Sequence, residues 1–231
     1  MTGGHSMKIL AVCFPLLVAL LVGCSDDRPT TSANPAEPVE YTFDPAAYPE
    51  EAPEVEPEGG YESLAALIES RNATPERVRT MLKDGAYVNE VGKRGWTPLH
   101  WAAAYNRDPQ VTSLLLDAGA DVDAVGNRLT VTPLHCAAMT NPNPKVMQVL
   151  LEAGAEVDAR LEGGDTPLWM ACASSQKNPE IILVLLNAGA DANIENISRE
   201  TPLDFAKKNE ALKGTKALEA LKSATSKWSL F

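Results

Sequence analysis

Residues 97–124 read TPLHWAAAYNRDPQVTSLLLDAGADVDA and carry two helix-start signals and one stop. Thr97 precedes Pro98. A Thr hydroxyl accepts a hydrogen bond from the first free amides of a helix, and Pro fits the first turn because its missing N–H would go unpaired there in any case. Asp108-Pro109 repeats the device within the same stretch. The small run Ala102-Ala103-Ala104 lets a neighbouring helix approach closely, and a bulky residue there would overpack the contact by ~1–3 kcal/mol. Val111, Leu114 and Leu115 are spaced to make one buried stripe on the second helix. Gly119 then closes that helix, because Gly enters the left-handed conformation at little steric cost.

The same signals recur outward from this stretch. Thr-Pro-Leu stands at Thr97, Thr132, Thr166 and Thr201, at intervals of 35, 34 and 35 residues. Gly-Ala stands in phase with it at Gly85, Gly119, Gly154 and Gly189. Thr74-Pro75, Asp108-Pro109, Asn143-Pro144 and Asn178-Pro179 mark the second helices, whose stripes continue as Val146, Val149 and Leu150, then Ile181, Ile182 and Leu185. Markers sharing one period define a tandem array. After each Gly-Ala a short β-like stretch such as Asp121-Val122-Asp123-Ala124 leads through a turn to the next Thr-Pro, so the expected unit is helix, turn, helix, protruding hairpin.

These residues resemble the ankyrin repeat family, whose Thr-Pro-Leu-His, Ala-Ala, Leu-Leu-Leu and Gly-Ala-Asp-Val-Asn-Ala pattern is matched almost whole by residues 97–124. The resemblance covers about residues 61–222. It implies an all-α repeat solenoid over residues 61–224, with about five helix-turn-helix units carrying β-hairpin fingers. The first unit, lacking Thr-Pro-Leu, and the last, rich in Lys, read as caps. Two departures are visible. His100 and His135 keep the family's His, which in such units hydrogen-bonds near the Thr, whereas Trp169 and Asp204 replace it later. The period also exceeds the usual ~33 residues, which places extra residues in the helix–helix loops.

The amino-terminal segment points to export. Residues 9–22 are apolar and uncharged, too short a run to span a membrane and suited to a signal peptide over residues 1–23; Met7 is an alternative start. Leu21-Val22-Gly23-Cys24 resembles the bacterial lipobox, which makes Cys24 the lipidation residue; an ordinary cleaved signal with a chance Cys is the alternative. Ser25 follows, where Asp would signal inner-membrane retention, so an outer-membrane address facing the periplasm is expected. Residues 25–60 hold seven Pro, ten acidic residues and one base, a net of 1 − 10 = −9 against −11 for the whole chain. Such a stretch cannot bury a core and reads as a disordered linker of ~110 Å reach, either a passive spacer or a docking sequence for a basic partner. The tail, residues 225–231, either docks on the last helix or stays loose.

Residues 61–231 carry 18 basic and 21 acidic side chains, a net of −3, which disfavours nucleic acid as a partner. Catalytic, metal and cofactor sites are not expected: His100 and His135 belong to the repeat pattern, and no metal spacing, phosphate loop or nucleophile elbow is present. Cys136 and Cys172 lie one unit apart at non-equivalent positions. Stacked helices stand ~8–10 Å apart, whereas a disulfide needs Cα atoms within ~7 Å, so two buried thiols are expected.

The resemblance further implies a monomer that binds a protein partner through a concave groove lined by finger tips and first helices. Read unit by unit, the variable groove positions are Lys93, Arg94, Trp96 and Tyr105; Arg128, Leu129, Val131, Met139 and Thr140; Glu162, Asp165 and Ser174; and Ser198 and Glu200, a run from basic-aromatic to acidic. Trp, Tyr and Arg dominate interface energetics, which makes Arg94, Trp96 and Tyr105 the expected anchors. The competing reading packs Trp96 on its own hairpin and Tyr105 over the helix end. Trp101, in place of a usual Leu, is assigned to the core. Three uses fit a lipid-anchored module of this kind: an immunity or accessory protein of a secreted effector, an oxidative-stress protein of the periplasm, or a structural scaffold of the envelope.

Overall fold

Every Thr-Pro pair opens a helix in the computed structural model, which describes residues 63–92, 95–126, 130–174 and 178–226. Among the described residues ten α-helices follow one another: α1 (Leu64–Glu69), α2 (Pro75–Lys83), α3 (Pro98–Tyr105), α4 (Pro109–Asp117), α5 (Pro133–Thr140), α6 (Pro144–Glu152), α7 (Pro167–Ala173), α8 (Glu180–Asn187), α9 (Pro202–Lys208) and α10 (Lys216–Ser226). A 3₁₀ turn, Glu210–Leu212, separates the last two. They pair into five units. The signal and linker readings, Cys24 included, fall on residues outside the described ones, as does the tail beyond Ser226, the end of α10.

Second helices begin as their Asx-Pro pairs dictate. The Asp108 carboxylate accepts the N–H of Gln110 at 2.9 Å, and the Asn143 side-chain oxygen accepts that of Lys145 at 3.1 Å. Asn178 does the same for Glu180 at 3.1 Å, although Pro179 stands just before α8. They end alike too. At Gly119, φ is 89°, and the next amide, Ala120, donates back to Leu115 O at 2.9 Å; Gly154 repeats this at φ 93°, with Ala155 donating to Leu150 O at 3.0 Å. A left-handed Gly followed by this backward bond satisfies carbonyls that a helix end leaves orphaned.

Each first helix packs on the first helix of the next unit, and each second helix on the next second helix, so the fold is a one-dimensional stack. First helices are apolar almost all round: residues 98–104 of α3 and residues 133–139 of α5 are buried throughout. Second helices bury one side. Val111 and Leu115, Val146, Met147 and Leu150, and Ile181, Ile182 and Leu185 form the core stripe, each buried aliphatic contributing roughly 1.5–3 kcal/mol. Leu114 and Val149, expected in that stripe, are only half-buried, because they sit one residue off the face that meets the neighbouring helix. Cys136 and Cys172 are free and buried, as expected.

The fingers are shorter in hydrogen bonding than the hairpins expected. One isolated antiparallel bridge, Gly126 with Val131, is formed among the described residues. Elsewhere one backbone bond spans the finger, as from Gly92 N to Trp96 O at 2.9 Å and from Leu161 N to Asp165 O at 3.0 Å, over a turn bond such as Gly164 N to Leu161 O at 2.8 Å. Ties between fingers come mostly from side chains, with one backbone bond, Ile197 N to Gly163 O at 3.0 Å, among the described residues. Asp123 accepts the N–H of Glu156 at 3.0 Å, and Asp158 accepts that of Asp191 at 3.0 Å, one unit later in each case.

Candidate functional site

The inner ends of the fingers are fixed by histidine. Nδ1 of His100 accepts from the Thr97 N–H at 3.2 Å and lies 2.8 Å from the Thr97 hydroxyl, while Nε2 donates to Val131 O of the next finger at 3.0 Å. His135 repeats the arrangement with Thr132 and with Asp165 O, the last at 3.3 Å. Burial lowers both imidazoles to a pKa of about 4, so both are neutral and structural at pH 7. At the third position Trp169 packs tilted against Phe205 with ring centroids 4.3 Å apart, and at the fourth Asp204 accepts from the Thr201 N–H at 3.0 Å and hydroxyl at 2.7 Å. Those two hydrogen bonds hold the Asp204 carboxyl below its usual range.

Several expected groove residues are not on the surface. Trp96 is 2% exposed, and Val131, Met139 and Ser174 are buried, which corrects their assignment to an accessible groove. The reason for Trp96 lies thirty residues on. A Cβ at Gly126 would come within 3.0 Å of the Trp96 ring and 2.8 Å of His100 Nε2, so the absent side chain is what admits the indole beneath the next finger. There Trp96 stacks on His100 and tilts against Trp101 at 4.7 Å between centroids. Trp101 is buried, in agreement with its core assignment. Ser174 is drawn in by its hydroxyl, which donates to Met139 O at 2.8 Å across the unit boundary.

The remaining positions keep some exposure. Glu162 and Ser198 are exposed; Tyr105, Thr140, Asp165 and Glu200 are half-buried. Thr140 Oγ1 lies 2.9 Å from Ala104 O of the preceding unit. Asp165 accepts from the Asn196 amide at 2.9 Å, and its partial burial raises its carboxyl pKa. Glu200 pairs with Lys208 at 2.7 Å. Lys93, Arg94, Arg128 and Leu129, the basic end of the expected gradient, lie outside the described residues.

Three features escaped the sequence reading. Asn106 and Asn141 stand one period apart. The Asn141 amide donates to Ala103 O at 2.9 Å and Asn106 O at 2.8 Å, and that of Asn106 donates to Ala73 O at 2.9 Å. Their recurrence at 35 residues was the available signal. Tyr87, Val91, Val125 and Ile197 form exposed apolar points on the fingers. Arg71 covers the ring of Tyr105, with the guanidinium carbon 4.5 Å from the centroid.

Among the described residues no group of three or more His, Cys, Asp or Glu side chains could hold a metal ion, and no helix is long and apolar enough to cross a membrane. An ankyrin repeat protein of Fowlpox virus (strain NVSL) is 43% identical over 47 residues, which is 20% of this chain and 9% of that relative. The family described as ankyrin repeats (3 copies) matches residues 63–161 and 134–224. Ankyrin repeats generally mediate protein–protein interaction, and the stacked units with their Thr-Pro caps, left-handed Gly ends and histidine-pinned fingers are what that match describes: the chain belongs to the ankyrin repeat family.

Proposed function

We propose that this protein is a membrane-tethered protein-binding module of a bacterial cell envelope, acting as a monomer that holds a protein partner in the concave face of its array. The observation that carries this reading is the division of labour in the units. First helices and finger roots are consumed by scaffold contacts, while the variable positions Glu162 and Ser198 are exposed and Tyr105, at the end of α3, keeps part of its surface. The lipobox-like Leu21-Val22-Gly23-Cys24 supports a lipid on Cys24 and an outer-membrane address facing the periplasm. Several acyl chains at ~0.8 kcal/mol per methylene make such an anchor effectively permanent. Within that setting the protein serves as immunity or accessory partner of a secreted effector.

The test is affinity capture from envelope extracts with the full chain and with Tyr105→Ala combined with Glu162→Lys. The double variant is expected to weaken capture by ~2 kcal/mol or more while moving the thermal midpoint by only a few degrees, as for one exposed and one half-buried position at the edge of the stack. Equal capture by both proteins would remove the groove from the reading. A captured hydrolase or toxin supports the effector role; a peroxide-detoxifying enzyme points instead to stress defence, and a set of envelope structural proteins to a scaffold. Cys24→Ser, fractionated in parallel, should appear in the soluble fraction or fail to mature.

A further inference from the structure

Arg71 holds an unusual backbone conformation for its residue type. It follows α1 at φ 62°, in the left-handed region that Gly or Asn normally occupies, and its N–H bonds Ile68 O at 3.0 Å. For a residue with a Cβ that conformation costs on the order of 1 kcal/mol. What it achieves is placement. The guanidinium lies over the Tyr105 ring at 4.5 Å, and Tyr105 in turn rests against Trp101 at 5.8 Å, which rests against Trp96 at 4.7 Å. The buried end of this aromatic column is closed by His100. An exposed Arg, normally free to sweep many rotamers, here has its guanidinium over an aromatic ring that is itself packed.

Among the described residues no carboxylate forms an ion pair with the charge it presents. The ion pairs among the described residues, Lys207–Asp204, Lys208–Glu200, Lys213–Glu210 and Lys222–Glu219, all belong to the last unit. Arg71 forms none of them, and Glu69, exposed two residues before it, is not paired with it. A guanidinium over a ring still offers N–H donors, and a pair of them matches a carboxylate in bidentate fashion. The folded part nets −3, so a polyanion such as nucleic acid would meet overall repulsion, whereas one carboxylate on a short protein segment would not.

We propose that Arg71, braced on Tyr105, is the docking point for an acidic side chain of the partner protein, fixing one end of the bound segment at the first two units of the array. This deepens the protein-binding reading above and rests on it. The probes are two blocked pentapeptides, Gly-Glu-Gly-Glu-Gly and Gly-Gln-Gly-Gln-Gly, titrated into the full chain while the Arg71 Nε–H resonance is followed by NMR. The Glu peptide is expected to shift that resonance saturably, and the Gln peptide to leave it in place. Tyr105→Ala, which frees the guanidinium, should weaken the response about five- to tenfold.

Arg71→Gly separates recognition from folding. Gly accepts φ 62° without strain, so the melting temperature should hold, while binding of the Glu peptide, followed on the Trp101 indole resonance, disappears. Equal shifts with the Gln peptide, a response to a phosphoserine peptide alone, or undiminished binding by Arg71→Gly would overturn the proposal. Should Glu162→Lys abolish partner capture while Arg71→Gly retains it, the groove reading stands and this docking point falls. Should the Glu peptide bind as described while no protein is captured, the docking chemistry survives and the groove reading fails.

Discussion

Gly126 and the two histidines show how much a single position carries. A methyl at residue 126 would meet His100 Nε2 at 2.8 Å and the Trp96 ring at 3.0 Å, both packed groups rather than flexible ends. Gly126→Ala is therefore expected to lower stability by ~1–3 kcal/mol in urea unfolding, with Trp96 fluorescence shifting red as the finger lifts. His100 and His135 set the acid limit. Each has a folded pKa of about 4 against 6.5 in the unfolded chain, so the unfolded state binds more protons between those values. Stability should be full above pH 6.5 and fall toward pH 4, by up to ~3 kcal/mol per histidine, as a protonated Nδ1 loses its capacity to accept from the Thr N–H. His100→Gln with His135→Gln should flatten that slope, measured as the urea midpoint against pH.

At the scale of the element, caps and ends were legible in sequence because they are local. Thr97, Asp108 and Gly119 act on amides and carbonyls within a few residues of themselves, so their chemistry could be read directly. Trp96 could not be placed by the same logic: a residue preceding the Thr cap is exposed or buried according to what the next finger puts above it. Arg71 was missed for another reason, since the first unit lacks Thr-Pro-Leu and gave no template against which to number its loop. The Asn rungs, Asn106 and Asn141, are periodic, but the carbonyls they bond lie in the preceding unit, beyond the reach of a local reading. Asn141 is buried and donates to two carbonyls of the preceding unit, so Asn141→Leu strands both; a loss of ~2–3 kcal/mol is expected, seen as a lower urea midpoint and faster amide exchange in α3 and α4.

For the molecule as a whole, stability is a sum over units and the contacts between neighbours. Burial pushes the Cys136 and Cys172 thiols well up from their usual range, so neither is reactive while the stack is closed. Their labelling by a thiol reagent should follow opening of the array. Cys172, nearer the carboxy-terminal end, is expected to react first, and equal rates would mean that the units open as one. Most of the rungs that join the units share a further property: a side chain, such as that of Asn141, Asp123 or His100, bonds a main-chain atom of the unit beside it. Such a joint is indifferent to which amino acid contributes that atom. The solvent-facing letters of the alphabet can thus be rewritten to suit a new ligand, one position at a time, while the masonry behind them keeps its mortar.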